Sequence, residues 1–446
     1  MAIPESRKRV SSPYLALCLA VLAAASMVYY HQAMFIPRSN AMLAARDLGN
    51  GYSFGNDFYQ VWLSSRELLR HKVDPYCPEM TREIQTGLYG RPLDPNRLTD
   101  PVDRRVFPYP AFVDLLFWPA AEIPFSGVRI GVLLLLLGLT TISVPLWLRA
   151  MGWSMDWKWI AVTVLLTISS YPALEGLFAG QLGLLVAFLL AAAVAALKQN
   201  RFLAGILMAL ATIKPQVAAL PIVYLLLWSI HEWAVRKKFV AGLSAGVFLL
   251  FATSLAVLPG WIKSWIRTVL VYRHYTTPSL ITQVVTSLLP SPIAGTATLI
   301  LTAAAIVAAL ILAWRNRNAG LESSAFWLTL SILLSITTVF ILPGQAVYDH
   351  LILIPALLLL VRDRDQLQKA GSVPRLLLRI GAFVFVWPWM AAFALITMRP
   401  FIPRAVFESA AVFALPLRMA ASLPFAILVL LVWNWRICRF GRQAVS

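Results

Sequence analysis

The sequence predicts an all-α integral membrane protein, a polytopic helical bundle of about 12 transmembrane helices with a long first outer loop carrying surface helices. Three observations carry that prediction. Hydrophobic residues fill 59% of the 446 positions and charged ones only 13%, with a mean hydropathy of +0.74, which no soluble fold can bury. Apolar runs recur near the ~20 residues that cross a ~30 Å hydrocarbon core at ~1.5 Å per residue. The Lys and Arg behind the net charge of +18 fall in short clusters between those runs, so the charge is topological and does not describe a nucleic-acid binder.

The first element is an apolar run over 14–36 that follows Arg7-Lys8-Arg9. It continues through Met27-Val28-Tyr29-Tyr30 without a small-residue cleavage site and reads as a retained signal anchor. Further spans are predicted over 127–148, 159–178, 182–197, 239–258, 295–314, 326–342, 351–361, 376–397 and 410–433, with a proline-broken pair of short helices within 202–229. If that pair counts as two passes, all the basic clusters fall on one side. These are Arg7-Lys8-Arg9, Arg149 with Lys158, Lys198 with Arg201, Arg236-Lys237-Lys238, Arg315 with Arg317, Arg362 through Arg379, and Arg436-Arg439-Arg442. That side is the cytoplasm, and both termini lie there. The outer side receives the loops 37–108 and 259–292 and the turns 343–348 and 399–404. With no internal repeat, linker or low-complexity tail, a single membrane domain over 1–446 is expected. Cys18, Cys77 and Cys438 fall in a span, a loop and the basic C-terminal end, so no disulfide is inferred.

The loop 37–108 is too long for a plain connector. Asn56 suits an N-cap and Asp57 the first helical turn. Phe58, Val61, Trp62, Leu68 and Leu69 then recur at helical spacing opposite Ser64, Ser65, Arg66 and Arg70. This predicts a membrane-surface helix over 57–70. Asp57 at its start gains ~0.3–1 kcal/mol from the helix dipole in an exposed setting. It stands beside the bilayer as a candidate base for lipid-borne substrates, or simply as part of a cap.

Lys214 lies in an otherwise apolar segment, where a charge costs ~2.5–3.5 kcal/mol on insertion scales and usually faces a cavity or a partner. Pro215 breaks the helix there; the alternative is a lysine snorkelling to an interface. His350 follows Tyr348-Asp349 at an outer boundary, as an anion contact or a helix-capping histidine. Arg273 and His274 are further possible anion contacts in an outer loop, and Gln181 at the outer end of a span caps a helix or meets a sugar hydroxyl. Trp261, Trp265, Tyr272 and Tyr275 fit an interfacial aromatic belt. Asp363-Arg364-Asp365 has the spelling of a metal-binding motif, but its basic surroundings predict a solvated cytoplasmic turn. His231-Glu232 lacks the second histidine of a zinc helix and no Gly-rich phosphate loop is present, so a nucleotide-sugar donor is not expected. No Cys, His and carboxylate set has metal-ligand spacing. No cofactor is expected, although the outer acidic residues leave a divalent ion open.

Asp57-Phe58-Tyr59, Asp74-Pro75-Tyr76, Phe107-Pro108-Tyr109-Pro110, Trp118-Pro119 and Ile123-Pro124-Phe125 occur in an order that resembles the first half of the family 87 glycosyltransferases. The resemblance continues through Ala179-Gly180-Gln181, Leu203-Ala204-Gly205, Ile213-Lys214-Pro215 and Tyr348-Asp349-His350, over roughly residues 14–361. Two positions depart from the family pattern: Pro110-Ala111 where paired prolines are usual, and Gly183 where an Asn is common. The resemblance implies the GT-C class of polytopic enzymes, a polyprenyl-phosphate sugar donor with mannose as the favoured hexose, and a lipid or glycan acceptor. It further implies an inverting transfer with Asp57 as base, Lys214 and His350 at the donor phosphate, and Gln181, Tyr59, Arg273 and His274 as weaker sugar or acceptor contacts. The other class to weigh is a multi-pass transporter or flippase, which would also carry a buried Lys and a proline-broken hairpin. The long outer loop favours the enzyme.

Overall fold

The computed structural model describes residues 12–49, 51–407 and 409–440; Arg7-Lys8-Arg9 and Arg442 lie outside the described residues, as do the side chains of Arg404, Cys438 and Arg439. It is helical, and the only bridge pairing among the described residues joins Ser279 to Pro343. Among the described residues, seven helices are long and apolar enough to cross a membrane: Pro13–Ala44, Phe125–Ala150, Trp233–Val257, Ser291–Arg315, Ser324–Ile341, Ser372–Met398 and Leu415–Ile437. An eighth is available if Trp157–Ile168 and Tyr171–Ala179, bent by 59°, form one span. The bend has a local cause, since the Ser170 side chain caps the second helix and Pro172 follows in its first turn.

Among the described residues, length and hydropathy thus support seven or eight of the 12 expected passes. Leu182–Ala196, Arg201–Ile213 and Pro215–His231 are shorter apolar helices, and Ile354–Arg362 has only nine residues. Fifteen residues of Leu182–Ala196 rise ~22 Å. Eleven of them are buried, so this helix is walled by protein rather than by lipid. The tightest packing joins Arg201–Leu210 to Trp233–Val257, where Gly242 and Gly246 are spaced as a small-xxx-small pair. A Cβ on Gly242 would fall 2.0 Å from the Phe202 carbonyl oxygen, so the two backbones touch.

Alternation of the helices sorts the turns into two ends. At one end the basic turns meet: Lys198 pairs with Glu322 at 2.8 Å, Arg236 pairs with Glu232 at 2.9 Å, and Arg236 lies 3.8 Å over the ring of Trp228. Asp363 belongs to this end, and it is not a solvated turn. It is buried and accepts hydrogen bonds from Arg362 Nε at 3.1 Å and Asn434 Nδ2 at 2.9 Å, tying Ile354–Arg362 to the C-terminal helix.

The turns 179–182, 213–215 and 341–349 return to the opposite end, where the first long loop forms a cap. Its helix Asn56–His71 packs on Pro78–Tyr89, Phe112–Leu116 and Trp118–Ala121, burying Phe58, Val61, Leu68, Met80 and Ile84. Gly55, not Asn56, is the N-cap. Ser64 and Ser65, expected on the polar face, are fully buried, because their hydroxyls donate to Asp114 Oδ1 at 2.6 and 3.3 Å. Farther along, the fork of Arg91 on Asp100 at 2.5 and 2.9 Å, aided by the Asp94 N–H, holds that carboxyl well below the usual range and staples the irregular segment after Tyr89.

Candidate active site

Two glycines with left-handed backbone seat the first outer helix against the bundle. Gly55 (φ +81°) donates its N–H to the Phe178 carbonyl at 2.8 Å. Gly180 (φ +70°) ends the helix Tyr171–Ala179 so closely that a Cβ there would lie 2.8 Å from that of Phe58. Asp57, in the first turn of its helix, is thereby set beside Gln181, the residue that opens Leu182–Ala196.

From this junction a continuous polar chain runs across the cap. Arg105 Nη1 donates to Asp57 Oδ1 at 2.6 Å, and Gln181 Nε2 donates to Asp57 Oδ2. Gln181 Oε1 in turn accepts from Lys214 Nζ at 3.3 Å, and Lys214 donates to both oxygens of Asp349 at 2.8 and 3.1 Å. The same ammonium lies 4.6 Å from the ring centroid of Tyr348. Lys214 is the extended residue between Ala211–Ile213 and Pro215–His231, where proline at the first helical position needs no N–H partner. Its charge is thus placed at a chain reversal and neutralised by a buried carboxylate. Gly183 makes room for this pair, because a Cβ at that position would stand 2.0 Å from Asp349 Oδ1 and 3.1 Å from Lys214 Nζ.

All five members line one cavity of about 530 Å³, together with Tyr52, Asp103, Tyr109, Glu175, Trp265, Tyr272 and Arg273. The Phe-Pro-Tyr-Pro segment builds one wall: the Tyr76 hydroxyl donates to the Tyr109 carbonyl at 2.8 Å, and Trp265 Nε1 donates to the Pro108 carbonyl at 3.0 Å. Glu175 forms another wall, accepting from the Tyr52 hydroxyl at 2.5 Å and facing His31 Nε2 at 3.3 Å. Burial works against the charge of Arg105, but the carboxylates of Asp57 and Asp103 and the Tyr89 oxygen outweigh it, so the guanidinium is held firmly protonated.

The structure brings together Asp57, Gln181, Lys214 and, at the exposed rim, Arg273. It does not bring in the other sequence candidates. His350 is buried and lines a separate, mostly apolar cavity of about 200 Å³ with Tyr171 and Trp389; its neighbour Asp349 faces the Asp57 cavity instead. His274 is exposed and outside the cavity, and Tyr59 packs its ring on Trp62 and Phe125 with its hydroxyl toward Gly87. Trp261, expected at an interface, is buried. Sequence reasoning passed over Arg105, Asp349 and Glu175. Glu175 had a signal, being the single carboxylate in the apolar stretch 171–179, where an ionisable residue marks a functional site by default. Arg105 had none, as one of several arginines in a polar loop. Among the described residues no group of three or more His, Cys, Asp or Glu is placed to hold a metal ion.

A cavity of this kind sets carboxylates beside cations, a combination that suits proton transfer and the balancing of an anion. Fold and site together define a polytopic helical membrane protein with a polar cavity at one end of the bundle. The model of Glycosyltransferase family 87 matches residues 107–274, the family to which the sequence motifs pointed, and supports a membrane glycosyltransferase in general terms. The matched stretch supplies Tyr109, Gln181, Lys214 and Arg273, while Asp57 and Asp349 lie outside it. No curated protein and no solved structure gives a significant match to the chain.

Proposed function

We propose that this protein transfers a hexose, mannose on the resemblance, from a polyprenyl-phosphate-linked donor to a lipid or glycan acceptor, with inversion at the anomeric carbon and Asp57 as general base. The observation that carries this reading is the shared cavity in which Asp57 meets Gln181, Arg105 and Lys214 at one end of a bundle built from membrane-length helices. An acceptor hydroxyl attacking the anomeric carbon must lose its proton, and one carboxylate within hydrogen-bond reach suffices for that. The glycosidic C–O bond breaks with its electron pair passing to the phosphate oxygen. The carrier departs as an anion and needs no general acid, unlike the leaving group of a glycoside hydrolase. Guanidinium and ammonium groups favour that developing charge most strongly where water is scarce.

The basic turns stand at the end of the bundle opposite the cavity, and positive turns favour the cytoplasmic side. That supports a multi-pass protein of the cell membrane with both termini cytoplasmic and the cavity facing outward, among membrane lipids and a flipped carrier. The test uses the purified protein with labelled polyprenyl-phosphate mannose and membrane lipids. Asp57→Asn is expected to lower transfer by about 10²–10⁴-fold. Equal transfer by both forms would reject the base assignment.

A further inference from the structure

Among the cations of this cavity, Arg105 alone has the candidate base as its carboxylate partner. Lys214 is committed elsewhere, because both oxygens of Asp349 accept from it and Asp349 is only 2% exposed. Drawing Lys214 away would strand a buried anion. Arg273 stands at the exposed rim. Arg105 can leave without that penalty, since Asp57 retains Gln181 Nε2 as a donor and faces the open cavity.

Two features suit Arg105 to movement. Its backbone has φ +54°, a left-handed conformation that a side-chain-bearing residue holds only where its surroundings impose it, and such outliers gather at functional sites. The segment around it, 101–111, contains no helix, so no ladder of backbone hydrogen bonds has to break. In the present arrangement both carboxylate oxygens of Asp57 are already engaged, Oδ1 by Arg105 Nη1 at 2.6 Å and Oδ2 by Gln181 Nε2, so an acceptor hydroxyl finds no free oxygen to donate to until one of these partners moves.

We propose that Arg105 is a ligand of the donor phosphate held in reserve on the base: when the lipid-linked phosphate enters, the guanidinium passes from Asp57 to the phosphate oxygens, and the same movement frees Asp57. This rests on the function proposed above and adds an order of events to it. The base stays masked until the donor is seated, so neither acceptor nor water is activated in an enzyme that lacks its sugar. The exchange replaces one ion pair by another, with no covalent change, and the planar fork of a guanidinium suits two phosphate oxygens better than an ammonium does.

The test is a double-mutant cycle in binding, with undecaprenyl phosphate as probe and undecaprenol as its phosphate-free control, on the full chain in detergent. Asp57→Asn leaves Arg105 without its carboxylate and is expected to bind undecaprenyl phosphate about tenfold tighter than the intact protein, the low end for a close charge pair. Arg105→Gln binds it more weakly, and in the Asp57→Asn, Arg105→Gln double variant the tightening disappears. Undecaprenol binds all four forms alike. Should Arg105→Gln not fold, Arg105→Lys replaces it, with weaker binding and a reduced tightening expected. Equal tightening in the presence and absence of Arg105 would mean simple relief of repulsion, and would overturn the exchange. If Asp57→Asn loses transfer yet binds no tighter, the exchange fails while the base assignment stands; if no form binds undecaprenyl phosphate, both fall.

Discussion

Gly183→Ala tests the geometry of the cavity with a single carbon atom. In the first turn of Leu182–Ala196 an alanine would ordinarily favour the helix by ~1 kcal/mol over glycine. Here the added Cβ would stand 2.0 Å from Asp349 Oδ1, whereas carbon and oxygen rarely approach within ~3.3 Å, so the carboxylate must retreat by about 1.3 Å. That displacement disrupts the 2.8 Å contact with Lys214. Loss of a hydrogen bond to a charged group costs ~1.5–3 kcal/mol, and subtracting the helix gain leaves a net loss of ~0.5–2 kcal/mol. Gly138→Ala is the matched control, because a Cβ there meets nothing within 4 Å and its helix gain is unopposed. Thermal unfolding in detergent, followed by tryptophan fluorescence, should place Gly183→Ala below the intact protein and Gly138→Ala at or above it. Sugar transfer should fall only in the former. Should the two variants melt together, Asp349 does not occupy the space beside Gly183 and the commitment of Lys214 is refuted.

Other perturbations reach the rest of the molecule. Burial pushes the Asp114 carboxyl up to about 8 despite its hydrogen bonds from Ser64 and Ser65, with Asp74 adding to the rise. Its contribution to stability is therefore full below the ordinary carboxylate range and is lost as pH rises through about 8; Asp114→Asn should flatten that slope in pH-dependent melting, and an unchanged slope counts against a buried Asp114. Gly242→Val forces a side chain into the Phe202 carbonyl, 2.0 Å away, and is expected to cost ~3 kcal/mol or more, read as lost monodisperse protein in size-exclusion chromatography. Asp363→Ala removes the bonds from Arg362 and Asn434 and should lower stability by ~1–3 kcal/mol while leaving transfer intact; abolished transfer in a folded variant would point instead to a site at that end.

The sequence made the helices legible because lipid demands long apolar runs, and 127–148 and 376–397 recur as Phe125–Ala150 and Ser372–Met398. It left the number of passes unsettled, because a short apolar helix buried in protein, such as Leu182–Ala196, has the same composition as one facing lipid. The helix after Gly55 was readable from its spacing, but not the inward turn of Ser64 and Ser65, since their partner Asp114 lies some fifty residues farther on. The site was half visible. Asp57, Gln181 and Lys214 stood out as polar groups in apolar or motif-bearing contexts, while Arg105 and Asp349 depend on long-range pairing that no local pattern encodes. His350 was preferred to Asp349 on the family resemblance, and one step along a turn of helix carries a side chain to a different face.

Among the described residues, the cavity lining sets Asp57, Asp103, Glu175 and Asp349 against Arg105, Lys214 and Arg273. Its charges nearly cancel, so an anion in bulk water feels little pull toward the mouth, and the basic turns that dominate the far field stand at the other end of the bundle. Capture should hardly vary with ionic strength, and a water-soluble sugar phosphate should compete poorly. On the function proposed above, a lipid-linked donor would arrive by lateral diffusion within the leaflet, at an encounter rate set by its surface density rather than by its concentration in solution.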